Sequence, residues 1–133
     1  MRLAHVLVSG VLLAGCGIGN DAAGTAKLCT GLAKDLAGAG LTGKPTLDQV
    51  RAAGKRLDAR VRQPAAPALH EAVIQLHQRL HALEAAHRRG DTADVARLTT
   101  QARADAADAA RACHLPVERL TGAAGPGGME ALP

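Results

Sequence analysis

The chain of 133 residues contains no phenylalanine, tryptophan or tyrosine, and its only serine is Ser9. Without aromatic rings it cannot build the stacking surfaces that hold sugars or single-stranded nucleic acid. Without a serine beyond residue 9, the chain that follows cannot form a Ser-His-Asp hydrolase site. The 16 Lys plus Arg against 12 Asp plus Glu leave a formal charge of only +4, which does not indicate a nucleic-acid partner.

The first residues combine one positive charge with a short apolar run. Arg2 precedes an apolar stretch over 3–13, which is interrupted only by His5 and Ser9. As a helix, this stretch reaches about 16 Å, whereas a helix that spans a bilayer needs about 20 residues. The run is therefore predicted to be the hydrophobic part of a signal peptide and not a permanent membrane span.

The run ends in Leu-Ala-Gly-Cys over residues 13–16, which resembles the lipobox of bacterial lipoprotein signal peptides at all four positions. The resemblance implies that 1–15 is a signal peptide removed by cleavage before Cys16. It also implies a diacylglycerol on the Cys16 sulfur and a further acyl chain, such as palmitate, on the new amino group. Two or three chains hold a protein stably on a membrane. Residues 16–21 would then form a lipidated tether.

The overall composition bears on where this anchor lies. Alanine, arginine, glycine and aspartate are frequent, whereas lysine, asparagine and serine are scarce, a bias that resembles proteins from GC-rich actinobacteria. The resemblance implies an anchor in the cell membrane with the protein on the outer, extracytoplasmic face. The lipobox covers only the first 16 to 20 residues, and the remaining chain shows no motif by which a functional family can be identified.

Two cysteines remain once Cys16 carries lipid. Cys29 and Cys113 form an even pair in an oxidising compartment, which favours a structural disulfide between them. Such a long loop stabilises the folded state by about 4–5 kcal/mol in the chain-entropy model. The alternatives are a metal pair or a thiol catalyst, with His114 activating Cys113, but the Cys-x-x-Cys spacing of a redox site is absent.

Apolar residues repeat with helical periodicity, and no stretch alternates for long enough to form a strand. Helices are predicted over about 22–38, over about 46–61, over about 65–89 and over about 92–113. Thr46 and Gln49 have the spacing of a capping box, and Gly90 is the expected end of the third helix. Asp91 or Thr92 is the expected cap of the fourth helix.

Short connections make successive helices antiparallel, so the predicted fold class is all-α, a small antiparallel four-helix bundle tied by one disulfide. The four-helix domain is predicted over 22–116. Residues 117–133 contain four glycines and are predicted to be a disordered tail.

One face of the third helix carries the side chains most typical of metal binding. His77 and His81 have the i, i+4 spacing that lets two imidazoles reach one ion, and His70 and Glu84 lie on the same face. The face is about 100° from the centre of the apolar stripe, so these side chains also fit a boundary surface without a ligand. Our primary interpretation assigns no metal and no other cofactor.

The sequence thus predicts a lipid-anchored, extracytoplasmic helical binding domain. No catalytic constellation is identifiable, so an enzyme is not expected. The expected partners are the membrane, through the lipid on Cys16, and a protein or another component of the cell envelope. The alternative is a metal-binding lipoprotein that uses the histidine-rich face of the third helix.

Overall fold

The computed structural model describes residues 22–121, which form five helices and no strand. The bounds are 22–36 for α1, Leu47–Arg60 for α2, Pro67–Arg89 for α3, Thr92–Ala112 for α4 and Val117–Thr121 for the short α5. The predicted signal peptide, Cys16 and the tether lie outside the described residues. Within the described part, no helix has both the length and the apolar character needed to cross a membrane.

Local side-chain chemistry sets the helix boundaries. The Thr46 hydroxyl accepts a hydrogen bond from the Gln49 backbone N–H at 3.1 Å, and the Gln49 side chain accepts one from the Thr46 N–H at 2.9 Å. This is the predicted capping box. Gly90 ends α3 with a φ of +69°, a left-handed conformation that favours glycine. Asp91 begins α4, because its carboxylate accepts a hydrogen bond from the Asp94 N–H at 3.0 Å.

The four long helices run antiparallel in sequence order, which confirms the predicted all-α bundle. Helix α3 packs between α2 and α4. Helix α1 contacts α2 through the ion pair of Asp35 with Arg60. It is joined to α4 by the predicted disulfide of Cys29 with Cys113, whose Cα atoms are 5.7 Å apart. Since both sulfurs are bonded to each other, neither is a free thiol catalyst.

The core combines large side chains from three helices with a wall of alanines on the fourth. Five apolar side chains of α3 are fully buried: Leu69, Val73, Leu76, Leu80 and Leu83. On α4, Ala102, Ala106 and Ala109 have no exposed surface, so the neighbouring helices approach this helix closely.

The disordered tail was predicted to start at residue 117, and this boundary is wrong. Residues 117–121 form α5, which packs on α4, and Leu120 is completely buried in the core. The apolar residues Val117 and Leu120 have the i, i+3 spacing of one helix face, a short signal beside the glycines that follow it. The four-helix domain therefore extends past residue 116, and the remaining tail residues lie outside the described chain.

Candidate metal centre between α2 and α3

The two histidines of the predicted metal face are adjacent on α3. His77 and His81 are one helical turn apart, and their rings meet edge to face with centroids 4.5 Å apart. The Nε2 atoms of the two rings are 3.1 Å apart. Both imidazoles therefore direct the same type of ligand atom into one small volume.

Helix α2 adds a carboxylate to this pair. Oδ1 of Asp58 is 2.5 Å from the His77 Nε2 atom and 3.3 Å from the His81 Nε2 atom. The three side chains are the only group of three or more His, Cys, Asp or Glu residues within 22–121 whose ligand atoms converge closely enough for one ion. We refer to Asp58, His77 and His81 as the triad.

The antiparallel register of α2 and α3 brings Asp58 next to the two histidines. Arg51 lies opposite Glu84, and Asp58 lies opposite His77. Between these two pairs, Gly54 lies opposite His81: a Cβ atom at Gly54 would be 3.9 Å from the His81 Cε1 atom. Positions three and four apart share one helix face, so one face of α2 runs along one face of α3.

The triad lies at the edge of the bundle and not in its core. The side chain of His77 is 21% exposed, and those of His81 and Asp58 are each 49% exposed. Hydrogen bonds from the His77 ring, and then from the His81 ring, lower the pKa of the Asp58 carboxyl below its usual range. The carboxylate is therefore ionised at neutral pH and presents a negative charge to any cation between the rings.

The spacing of the three ligand atoms suits a transition-metal ion. An ion bonded tetrahedrally at about 2.0–2.1 Å keeps its ligand atoms about 3.4 Å apart. Two of the three distances in the triad are 3.1 and 3.3 Å, and only the shortest, from Asp58 to His77, has to open. Lone pairs this close repel unless a positive charge lies between them, which is supplied either by protons or by a metal.

Two members of the predicted face do not join the triad. His70 is half-buried two helical turns before His77, about 10 Å away along the axis. Glu84 is bound by arginines: its Oε2 atom accepts a hydrogen bond from Arg88 at 2.6 Å and lies 3.6 Å from Arg51 Nε. Among the described residues the candidate ligand set is therefore corrected to Asp58, His77 and His81.

The sequence contained a signal for Asp58 that a search for histidine and cysteine alone does not find. Pro64 and Pro67 mark the turn between α2 and α3, and an antiparallel hairpin then pairs residues at nearly equal distances from that turn. Equal spacing about that turn places Asp58 within about one helical turn of His77. Carboxylates on the neighbouring helix belong in such a search because they are common partners of imidazole at metal sites.

A scan against protein-family models and searches of curated proteins and of solved structures returned no match to this chain.

Proposed function

We propose that this protein is a non-catalytic, lipid-anchored module that binds a divalent transition-metal ion on the extracytoplasmic face of the cell membrane. The observation that carries the proposal is the convergence of two imidazole nitrogens and one carboxylate oxygen within 3.3 Å of one another. This observation favours the metal-binding alternative over a binding domain whose partner is a protein or another envelope component.

The ligand types indicate which ions fit. Imidazole nitrogen suits Zn²⁺, Cu²⁺ and Ni²⁺, whereas Ca²⁺ and Mg²⁺ prefer six or more oxygen ligands. Structural zinc sites use four protein ligands, but sites that exchange or activate a ligand keep one position open. The triad supplies three ligands, and two of its side chains are half-exposed. A bound ion therefore has a solvent-accessible position, which suits reversible binding.

Two further observations support the location. The lipobox-like ending at Cys16 is the sequence basis for the anchor. The Cys29–Cys113 disulfide is typical of an oxidising compartment outside the cytoplasm. An anchored module with an exchangeable ion would hold that ion near the membrane surface.

Calorimetric titration of Zn²⁺ into the full chain, with the disulfide intact, tests metal binding. We expect one ion per chain, and His77→Gln, His81→Gln and Asp58→Asn should each weaken binding by about 100-fold or more. His70→Gln, on the same helix but outside the triad, is the matched control and should bind as the unchanged protein does. Equal zinc affinity in His77→Gln and in the unchanged protein would contradict the proposal.

Detergent phase separation tests the anchor independently. The chain with Cys16 should enter the detergent-rich phase, and Cys16→Ala should stay in the signal-bearing, unprocessed form. A processed Cys16→Ala chain in the same phase as the unchanged protein would show that lipid on Cys16 is not the anchor.

A further inference from the structure

A second cleft lies at the end of the bundle where α3 turns into α4. It has a volume of about 570 Å³, within the range of small-molecule sites. The connection between α1 and α2 forms one wall through Lys44 and Pro45, and α4 forms the other through Val95, Ala96 and Arg103. No residue of the triad lines this cleft, so it is separate from the candidate metal centre.

The charged side chains of this cleft are all of one sign. Lys44 and Arg103 line it, and no described aspartate or glutamate does. Neither side chain lies within 4 Å of a carboxylate in the range 22–121, in contrast to most arginines of α2, α3 and α4. Arg103 is held in place, because its Nε donates a hydrogen bond to the Leu41 carbonyl at 2.7 Å. That bond leaves the two terminal nitrogens of the guanidinium as available donors.

One residue that lines the cleft has an unsatisfied polar atom. His87 lines it, and the Nε2 atom of this ring is buried without a hydrogen-bond partner among the described residues. A buried polar atom without a partner is costly. The rest of the wall is largely apolar, including Val95, Ala96 and the buried ring of Pro45.

We propose that this cleft binds a small organic anion. Its charged group, a carboxylate or a phosphate, would lie between Lys44 and Arg103, whose two positive charges are not neutralised by any carboxylate of residues 22–121. Its apolar body would contact Val95 and Ala96. A ligand with only one of these two parts would leave either the charges or the apolar wall without a partner.

Nuclear magnetic resonance titration of the full chain in uncharged detergent tests this inference. Hexanoate and hexyl phosphate are the probes, and hexanol is the uncharged control. We expect at least one of the anions at millimolar concentration to shift the Val95 methyl signals, and hexanol to shift them far less. Equal shifts with hexanol and with both anions, or no shifts with either anion, would overturn the inference.

Charge and cavity variants then locate the binding. Lys44→Gln and Arg103→Gln should each weaken anion binding about tenfold, since each removes a charge-assisted hydrogen bond. Lys55→Gln, an exposed lysine of α2 outside the cleft, should change nothing. Ala96→Met keeps every charge and suits a helix, yet its side chain would fill the cleft and should also weaken binding. Unchanged affinity in Lys44→Gln and Ala96→Met would contradict the assignment.

Discussion

Helix α3 presents basic side chains to an aspartate on each of its two neighbouring helices. The base is an arginine on one side and a pair of histidines on the other. Toward α4, Arg79 Nε donates a hydrogen bond to the Asp105 carboxylate at 3.0 Å. Toward α2, His77 and His81 meet Asp58. Arginine carries its charge at every accessible pH, so the first contact is neutralised within the protein. Imidazole can act as a metal ligand or as a proton acceptor, so the proposed metal ion would bind at the second contact.

The two aspartates also differ in how far they are buried. The side chain of Asp105 is 13% exposed, whereas that of Asp58 is 49% exposed. A buried carboxylate needs a permanent partner, because an unpaired buried charge is strongly destabilising. Water can solvate a half-exposed carboxylate when no cation is bound. The type of base on α3, together with the exposure of the aspartate, therefore distinguishes a structural contact from a candidate binding site.

The largest loss of stability is expected from removing Arg79, the permanently charged partner of Asp105. Arg79→Met leaves the mostly buried Asp105 without its guanidinium and should lower the free energy of unfolding by about 2–3 kcal/mol. Urea denaturation measures this change. Arg97→Met, which removes an exposed arginine of α4, is the control and should cost less than about 1 kcal/mol. A cost for Arg79→Met as small as the control's would remove the distinction between the two sides of α3.

A bound metal ion should stabilise the protein only through the triad, on the side of α3 that faces α2. At a free Zn²⁺ concentration of about 100 times Kd, binding to the folded state adds about 2.7 kcal/mol. For a domain of this size, that gain raises Tm by about 10–20 °C. His77→Gln should lose the zinc-dependent rise in a thermal melt, whereas Arg79→Met should retain it despite its lower starting Tm. A rise that persists in His77→Gln would assign the ion to other residues.

Alanine substitutions at two glycines should affect the α2–α3 contact and the α1–α2 contact in opposite directions. A Cβ at Gly54 would lie at ordinary contact distance, 3.9 Å, from Leu80 Cβ and His81 Cε1, so Gly54→Ala should stabilise the protein by about 1 kcal/mol. A Cβ at Gly31 would instead collide with the guanidinium of Arg60. Since that group pairs with the buried Asp35, Gly31→Ala should destabilise. Chemical denaturation of both variants checks the opposite signs.

The smallest effect concerns proton affinity. The pKa of Asp58 is lowered by hydrogen bonds from His77 and His81, so a carbon-13 titration should find it below its usual range. In the double variant His77→Gln, His81→Gln, it should rise toward that range. Because the folded-state pKa is the lower one, the resulting stability is present above the ordinary carboxyl pKa and is lost as the pH falls through the folded value.

Asp94 is the matched control for that titration. Hydrogen bonding by Arg97 lowers the pKa of Asp94, and the double histidine variant leaves both of these residues in place. Its pKa should therefore stay low. If the pKa of Asp58 also stayed low in the double variant, the lowering would have a cause other than the two imidazoles.

Much of the fold was predictable because its determinants are local. The Thr46–Gln49 capping box and the left-handed Gly90 depend on residues within one turn of the chain. The stripe of leucines on α3 depends only on helical periodicity. The pairing of Cys29 with Cys113 was predictable for a different reason, since these are the two cysteines that remain once Cys16 is assigned to the lipid.

The membership of the triad was not predictable from one helix. His77 and His81 share a face by spacing alone, but Asp58 joins them only through the register between α2 and α3. The same register places Arg51 beside Glu84 and so removes that glutamate from the candidate ligands. Helix α5 was missed for a related reason: the burial of Leu120 depends on contact with the bundle, which five residues do not encode locally.

Residue-resolved nuclear magnetic resonance of the histidine ring nitrogens during Zn²⁺ addition tests whether a metal ion binds at the triad. We expect one equivalent of Zn²⁺ to shift the Nε2 signals of His77 and His81 to values typical of metal-bound imidazole. The signals of His70 and His87 should stay in place. Unchanged signals from His77 and His81 at one equivalent, or parallel shifts of all histidines, would contradict a metal centre at the triad.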